Sequence, residues 1–347
     1  MDKNEFKAQK KAYKKARRKA SGLWKWLSII SAPLAVVLIA VTVIFNVFDN
    51  TIALFFGGTF WELENEDENA VYYESDFASE EERIARGYEL VKQVEGEGAA
   101  LLMNEGNALP LGEGANVSLF STSSVNIVYG GTGSANVDAS KADNLKTAIE
   151  KAGMNVNETL WNFYETGEAS AYARAGGSFT ASASVCEAPW DVYTQEVIDS
   201  VANYGDAAIV TLSRVGGEGA DLEFVATNYL ALDENEKTLM ENLAAMKEAG
   251  TIKKIVVLIN SSNPLQVDFL QNNEYDVDAC LWIGGVGITG LNAVAEILAG
   301  NINPSGSLVD TYCYDNYSSP AMKNFVPTTY EGYKEGDIPA NASTYMI

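Results

Sequence analysis

AAIVTLSRVGGEGADLEF, Ala207 to Phe224, decides how the rest of this chain is read. Its opening run, Ala207–Leu212, is apolar apart from Thr211. That is the pattern of a strand buried on both faces, as in a parallel sheet covered by helices. The run empties into Gly216, Gly217 and Gly219, with one carboxylate, Glu218, among them. In open α/β sheets ligands gather at the carboxyl ends of the strands. Glycine takes backbone angles closed to other residues, so such a loop can bend sharply and lift Glu218 off the domain surface. A solvated turn with an incidental acid is the plainer alternative, and the residues alone leave both open. A phosphate cradle is disfavoured, because GGEG has no lysine and fits neither nucleotide-loop spacing.

Outward from this stretch, strand and helix signals alternate. NVSLF (116–120), KKIVVLIN (253–260) and DACLWIG (278–284) read as further strands. Residues 138–153 place Leu145, Ala148, Ile149 and Ala152 on one helical face, and 194–205 do the same with Val197, Ile198, Val201 and Ala202. LDENEKTLMENLAAMKEAG (232–250) has Asp233 as N-cap, Glu236 three residues on, and Gly250 as a stop. TGLNAVAEILAG (289–300) is one more helix ended by glycine. NPSG (303–306) reads as a turn into a last strand. The expected fold class is α/β: an open, mostly parallel sheet of about five or six strands sandwiched by helices, residues 87–315.

Charge is divided along the chain. Residues 1–26 hold ten Lys and Arg against Asp2 and Glu5, a net of +8; the remainder has 14 basic and 45 acidic residues, a net of −31. An acidic body facing phosphate excludes nucleic acid as a partner. The basic block, read as a cytoplasmic tail, leads into a charge-free run within residues 27–48, long enough to cross a bilayer as one transmembrane helix. Positive charge on its amino side predicts a single-pass anchor in the cell membrane, with the N-terminus cytoplasmic and the main domain outside. Cleavage as a signal peptide is the alternative. Residues 49–86 read as an acidic spacer and 316–347 as a loop-rich tail.

The chain contains no histidine. Imidazole triads and helical zinc-protease motifs are thereby removed, and catalysis falls to carboxylates, tyrosines, lysines or a metal site without imidazole. No cofactor or metal is expected: ENEDEN (64–69) lacks the spacing of a calcium loop. Cys186, Cys280 and Cys313 suggest no disulfide framework, and Cys280, in a strand-like run, reads as a buried thiol. Tyr164, Tyr172 and Trp190 are candidates for stacking on the flat face of a ligand, with core packing as the other reading of each.

Five motifs in order resemble glycoside hydrolase family 3, the β-glucosidase-like group. They are EGEGAALLMNEGNALPL (95–111), YGGTGSANV (129–137), SRVGGEGADL (213–222), KKIVVLINSSNPLQV (253–267) and WIGGVGITGLNAVAEILAGNINPSGSL (282–308). The resemblance covers the sandwich domain. It implies a retaining glycosidase acting on β-linked glucosides or short oligosaccharides, with Glu218 as the catalytic acid/base reaching from the sandwich to a carbohydrate held elsewhere. YGGTGSANV would line the cleft between the domains. The family's motif often has an arginine where Leu222 stands, so any local pairing of Asp221 with it is lost, and Asp221 reads as a loop-capping acid or a hydroxyl ligand. The family's nucleophile is an aspartate on a TIM-like barrel, which takes about 250 residues. No barrel-like stretch lies before 87 or after 315, so a barrel is expected downstream of Ile347, as in inverted-order members, and this chain alone is expected to be inactive. The alternative is a non-catalytic, membrane-anchored protein that binds carbohydrate or a partner.

Overall fold

A computed structural model describes residues 2–55, 74–178, 181–217, 229–272 and 274–318. The chain divides into two units, Met1–Ser75 and Asp76–Ile347.

The first unit is built on helix α1, Lys3–Val47, followed by the short α2, Asp49–Phe55. Asp2 and Glu5 cap α1 reciprocally, satisfying amide groups that have no partner within the helix. The basic block and the apolar run are one continuous helix, with Pro33 inside it. Its apolar part is long enough to cross a membrane by length and composition.

The second unit opens with α3, Glu80–Gly98, capped by Ser79 and starting ahead of residue 87, so packed structure reaches into the acidic stretch. The strands follow in chain order: β1 Ala100–Asn104, β2 Asn116–Phe120, β3 Asn155–Val156, β4 Gly176–Ser178, β5 Ala181–Ala183, β6 Ala207–Arg214, β7 Ile255–Ser261 and β8 Ala279–Trp282. Six of them form one sheet in the order β1-β8-β7-β6-β2-β3; β4 and β5 pair separately as an antiparallel hairpin. Every neighbour in the sheet is parallel except β1, which runs antiparallel to β8 with an irregularity between Leu101 and Met103. The fold class is therefore the expected open, mostly parallel α/β sheet.

The connecting helices are α4 Leu145–Lys151, α5 Glu158–Glu165, α6 Gln195–Ser200, α7 Glu234–Glu248 and α8 Gly290–Ala299. Their starts obey capping chemistry: Asn144, Asn157, Thr194 and Asp233 each accept a hydrogen bond from an amide in the first turn. The period-two alternation of each strand then sorts the core into two layers. Val117, Leu119, Ile209, Val256, Leu258 and Leu281 face α4 and α8. Phe120, Val210, Leu212, Val257, Ile259 and Cys280 face α5, α6 and α7. Both faces are buried, which is why the strands read as predominantly apolar runs without a strict alternation.

Two readings need correction. No strand follows NPSG among the described residues to 318; instead Gly306 lies against the end of α3, donating its amide to the Ala99 carbonyl at 3.0 Å. Hydrogen bonding there goes to the chain before β1, and among the described residues β1 is the strand at that edge of the sheet. On residues 194–205 the helical face ends early: Val197 and Val201 are buried but Ala202 is exposed, because the chain tightens into a 3-10 turn at Val201–Tyr204.

The topology also marks a site. From β2 the chain moves outward to β3, then returns to the other side of β2 to lay down β6, β7 and β8. The direction reverses between β2 and β6, and the crevice beyond the carboxyl ends of two such strands is where open sheets bind ligands.

Candidate active site

β6 lies inside the sheet, and all eight of its residues are buried. It ends at Arg214, and Val215, Gly216 and Gly217 carry the chain out to the crevice. Glu218, with Asp221 and Leu222, lies outside the described residues. The position from which Glu218 departs is described, and so is the point of return at Tyr229.

The two ends are tied together. Arg214 is fully buried, and each of its five N–H groups is used. Nε donates to the Tyr229 carbonyl at 2.6 Å, and Nη2 to that of Ala231 at 2.7 Å. Nη1 donates to the Ser213 carbonyl at 2.9 Å. The remaining two donors grip the Glu236 carboxylate at 2.9 and 2.7 Å. Burial opposes the charge on Arg214, but the charge of Glu236 and its hydrogen bonds outweigh it and the pKa rises. The Tyr229 hydroxyl sits between both backbone groups of Val215, accepting from the N–H and donating to the C=O, each at 3.2 Å. Glu236 is also the third helical residue of α7, where it accepts from the Asp233 amide at 2.9 Å. One carboxylate thus joins the end of β6, the start of α7 and the root of segment 218–228.

A second tie joins the strand ends across the crevice. Asn260, at the end of β7, is buried with its amide fully satisfied. Its oxygen accepts from the Val128 N–H at 2.7 Å and from Ser213 Oγ at 2.8 Å. Its nitrogen donates to the carbonyls of Val128 at 2.9 Å and Gly284 at 2.7 Å. The segments after β2 and β8 are therefore fixed to β6 through one side chain.

The space these ties enclose is a cleft of about 430 Å³, walled by Gly130, Gly131, Thr132, Val215, Gly216 and Gly217 among others. That lies within the range of small-molecule sites, about 300–1,000 Å³. Thr132 Oγ1 donates to the Gly216 carbonyl at 3.0 Å, which joins the glycine segment after β2 to the one after β6. YGGTGSANV therefore lines a cleft beside the Glu218 mount. A smaller lobe of about 220 Å³ shares Gly130, Gly131, Thr132 and Val215 with it and is lined as well by Arg174 and by Gly176, Gly177 and Ala183 of the β4–β5 hairpin.

The aromatic candidates do not converge here. Tyr164 is buried, with its hydroxyl paired to that of Tyr193 and accepting from the Ser121 amide. Trp190 lies against Tyr193 with ring centroids 4.4 Å apart, so one of its faces is used in packing. Tyr172 stays 37% exposed. All three cysteines are free, Cys280 with its thiol pushed well up by burial. Sequence reasoning missed Arg214 and Asn260, although each is a polar residue at the end of an apolar run. It also missed Arg174.

An open, mostly parallel sheet with a glycine-walled cleft at its reversal point defines the class: an α/β sandwich with its crevice where sheets of this kind hold ligands. The chain belongs to the glycosyl hydrolase family 3 C-terminal domain family, whose description matches residues 99–339. A β-glucosidase of Ruminococcus albus is 29% identical over 252 residues, covering 71% of this chain and 25% of that protein. The thermostable β-glucosidase B of Acetivibrio thermocellus is 25% identical over 273 residues, covering 77% of this chain and 30% of that protein. Among solved structures, β-glucosidase 3B from Thermotoga neapolitana in complex with glucose has a TM-score of 0.58 at 27% identity, over 69% of this chain and 33% of that one. The chain thus spans a quarter to a third of the length of these relatives.

Proposed function

We propose that this chain supplies the acid/base half of a retaining, β-glucosidase-like glycosidase held at the cell surface by α1. Glu218 is the proton donor. The substrate's reacting sugar and the nucleophilic carboxylate belong to a TIM-like barrel domain that faces this one across the cleft. In a retaining enzyme the two carboxyl groups stand about 5–5.5 Å apart. Glu218 protonates the leaving oxygen while the nucleophile forms the glycosyl–enzyme bond; as carboxylate, Glu218 then takes a proton from the attacking water. The basic amino side of the apolar helix supports a cytoplasmic N-terminus and an outward-facing sandwich.

One observation carries the reading. The segment holding Glu218 leaves a buried internal strand at the reversal point of the sheet and is clamped at its root by Arg214, Glu236 and Tyr229. A solvated turn with an incidental acid needs no such footing. The test is Glu218→Gln in the complete enzyme. Turnover of an unactivated alkyl β-glucoside should fall by about 10²–10⁴, the worth of a positioned general acid. The first bond cleavage of a dinitrophenyl β-glucoside, which needs no protonation, should fall far less. Unchanged turnover of both would place the acid elsewhere and leave a binding role for this domain.

A further inference from the structure

Helix α1 carries a pattern that an anchor alone does not need. At about 1.5 Å per residue its 45 residues reach about 68 Å, twice the roughly 30 Å of a bilayer core. Residues 26–48 hold no charge and account for the span. Trp24 and Trp26 stand at its entrance, where such rings settle at headgroup level. The helix ahead of them is about as long again and wholly exposed.

That outer half has a seam. Lys3, Phe6, Lys10, Tyr13, Arg17, Ala20 and Trp24 follow one another at alternating three- and four-residue steps, so they share one side of the helix. Cations and aromatic rings alternate along it, and Lys7 and Lys14 flank it. Phe6 and Tyr13 are 56% and 67% exposed, with nothing packed over them. The two acids nearby, Asp2 and Glu5, are engaged in the cap. Among the described residues every ion pair lies at or beyond Glu80, so none of these cations is answered by a carboxylate there. Orientation by positive charge needs cations near the span, but it needs neither a seam nor rings between them.

We propose that residues 3–20 lie along the anionic phospholipid headgroups of the leaflet from which the anchor enters, with Phe6 and Tyr13 inserted and Lys3, Lys10 and Arg17 on the phosphates. The inference rests on the membrane anchoring in the proposed function and is independent of the catalytic reading. A helix with cations beside aromatic rings suits this boundary, and a cluster of this size next to a span suits anionic lipid. Held straight, α1 would carry Lys3 about 30 Å from the headgroups, several times the roughly 8 Å screening length at physiological salt. Lying down therefore requires a bend, and Ser21–Gly22 supplies it, since serine–glycine pairs are where helices kink. Ser21 Oγ there donates to the Arg18 carbonyl at 3.2 Å, and Gly22 has nothing within 4 Å of where a methyl group would stand.

The test uses the 347-residue chain in lipid nanodiscs, digested with chymotrypsin and followed by mass spectrometry at Phe6 and Tyr13. Discs of phosphatidylcholine alone are compared with discs in which about a third is phosphatidylglycerol. Cleavage at both residues should be about tenfold slower in the anionic discs, and the difference should vanish at about 1 M salt, where charges are screened within about 3 Å. A variant combining Lys10→Ala, Arg17→Ala, Ala8→Lys and Ala12→Arg keeps the composition and net charge but moves two cations off the seam. It should lose most of the protection; a variant protected like the parent overturns the proposal, because charge without arrangement would then suffice. Equal protection in both discs assigns the cations to the chain's own acidic body and overturns it. So does tighter binding to single-stranded RNA than to anionic lipid at equal phosphate. A chain that co-purifies with neither disc overturns the anchor and this inference together, whereas the Glu218→Gln result bears on catalysis alone.

Discussion

Arg214 and Glu236 form a two-pronged ion pair, with contacts of 2.9 and 2.7 Å, at a point where neither side chain reaches solvent. A buried pair is weak evidence of net stabilisation, because desolvating two charges is costly. Its value here lies in what it joins, since the same guanidinium holds the Tyr229 and Ala231 carbonyls. Arg214→Met strands the Glu236 charge and should destabilise the chain by about 3–5 kcal/mol. Adding Glu236→Leu should recover part of that loss even though the cap of α7 goes with it. Denaturant midpoints of the two single variants and the double variant check this; additive losses would mean the groups are not coupled.

Asn260 makes a second prediction about the crevice. Its four hydrogen bonds satisfy Val128 at both backbone groups, Ser213 Oγ and the Gly284 carbonyl. Asn260→Ala leaves several buried polar groups unanswered at roughly 1–3 kcal/mol each, so a total loss of at least about 3 kcal/mol is expected. Asn260→Asp fills the same space but sets an acceptor against the Val128 and Gly284 carbonyls, and should be no better. Thermal unfolding of the pair checks it: an Asp variant as stable as the parent would show that the carbonyls do not need the amide.

The sheet was legible because both faces are covered. β2, β6, β7 and β8 announce themselves as predominantly apolar runs, and the Asp233–Glu236 capping box marks the start of α7. β1 was not legible: ALLMN earns its strand conformation from the β8 edge, a tertiary fact. The crevice was half legible. Glycines on either side of it suggested a cleft, but Arg214 at the end of a strand looks like a surface charge until Glu236, 22 residues on, is brought beneath it.

Glu187 gives the pH prediction. It is buried, accepts from its own neighbour's amide, Ala188 N, at 3.0 Å, and burial together with the Glu236 charge pushes its carboxyl from the usual 4.5 up to about 8. A raised folded-state pKa means the folded form holds the proton more tightly. That stability is fully present below about 4.5 and is lost as pH rises toward about 8. Glu187→Gln removes the titration while keeping the shape. Between those limits the parent should lose on the order of a few kcal/mol more than the variant. Glu95, also pushed to about 8 by burial, is common to both chains and cancels. Denaturation midpoints against pH check it; parallel curves would mean Glu187 is solvated or paired.

Gly306 and Gly98 test how the chain packs back on α3 after α8. A methyl group on Gly306 would stand 2.0 Å from the Gly98 carbonyl oxygen and 2.5 Å from its carbon. Both are backbone atoms at the end of α3 and cannot rotate away, so either the helix end or the segment after Pro304 must move. Overpacking of this kind costs about 1–3 kcal/mol, and the loss of the Gly306 to Ala99 hydrogen bond would add to it. The reverse exchange is harmless: a methyl on Gly98 meets nothing within 4 Å, and alanine is the better helix former by about 1 kcal/mol. Gly306→Ala should therefore lower the denaturation midpoint, while Gly98→Ala leaves it level or raises it. The same ranking for both, or a tolerated Gly306→Ala, would mean that residues 303–306 do not lie against α3, and the edge of the sheet at β1 would then need another cover.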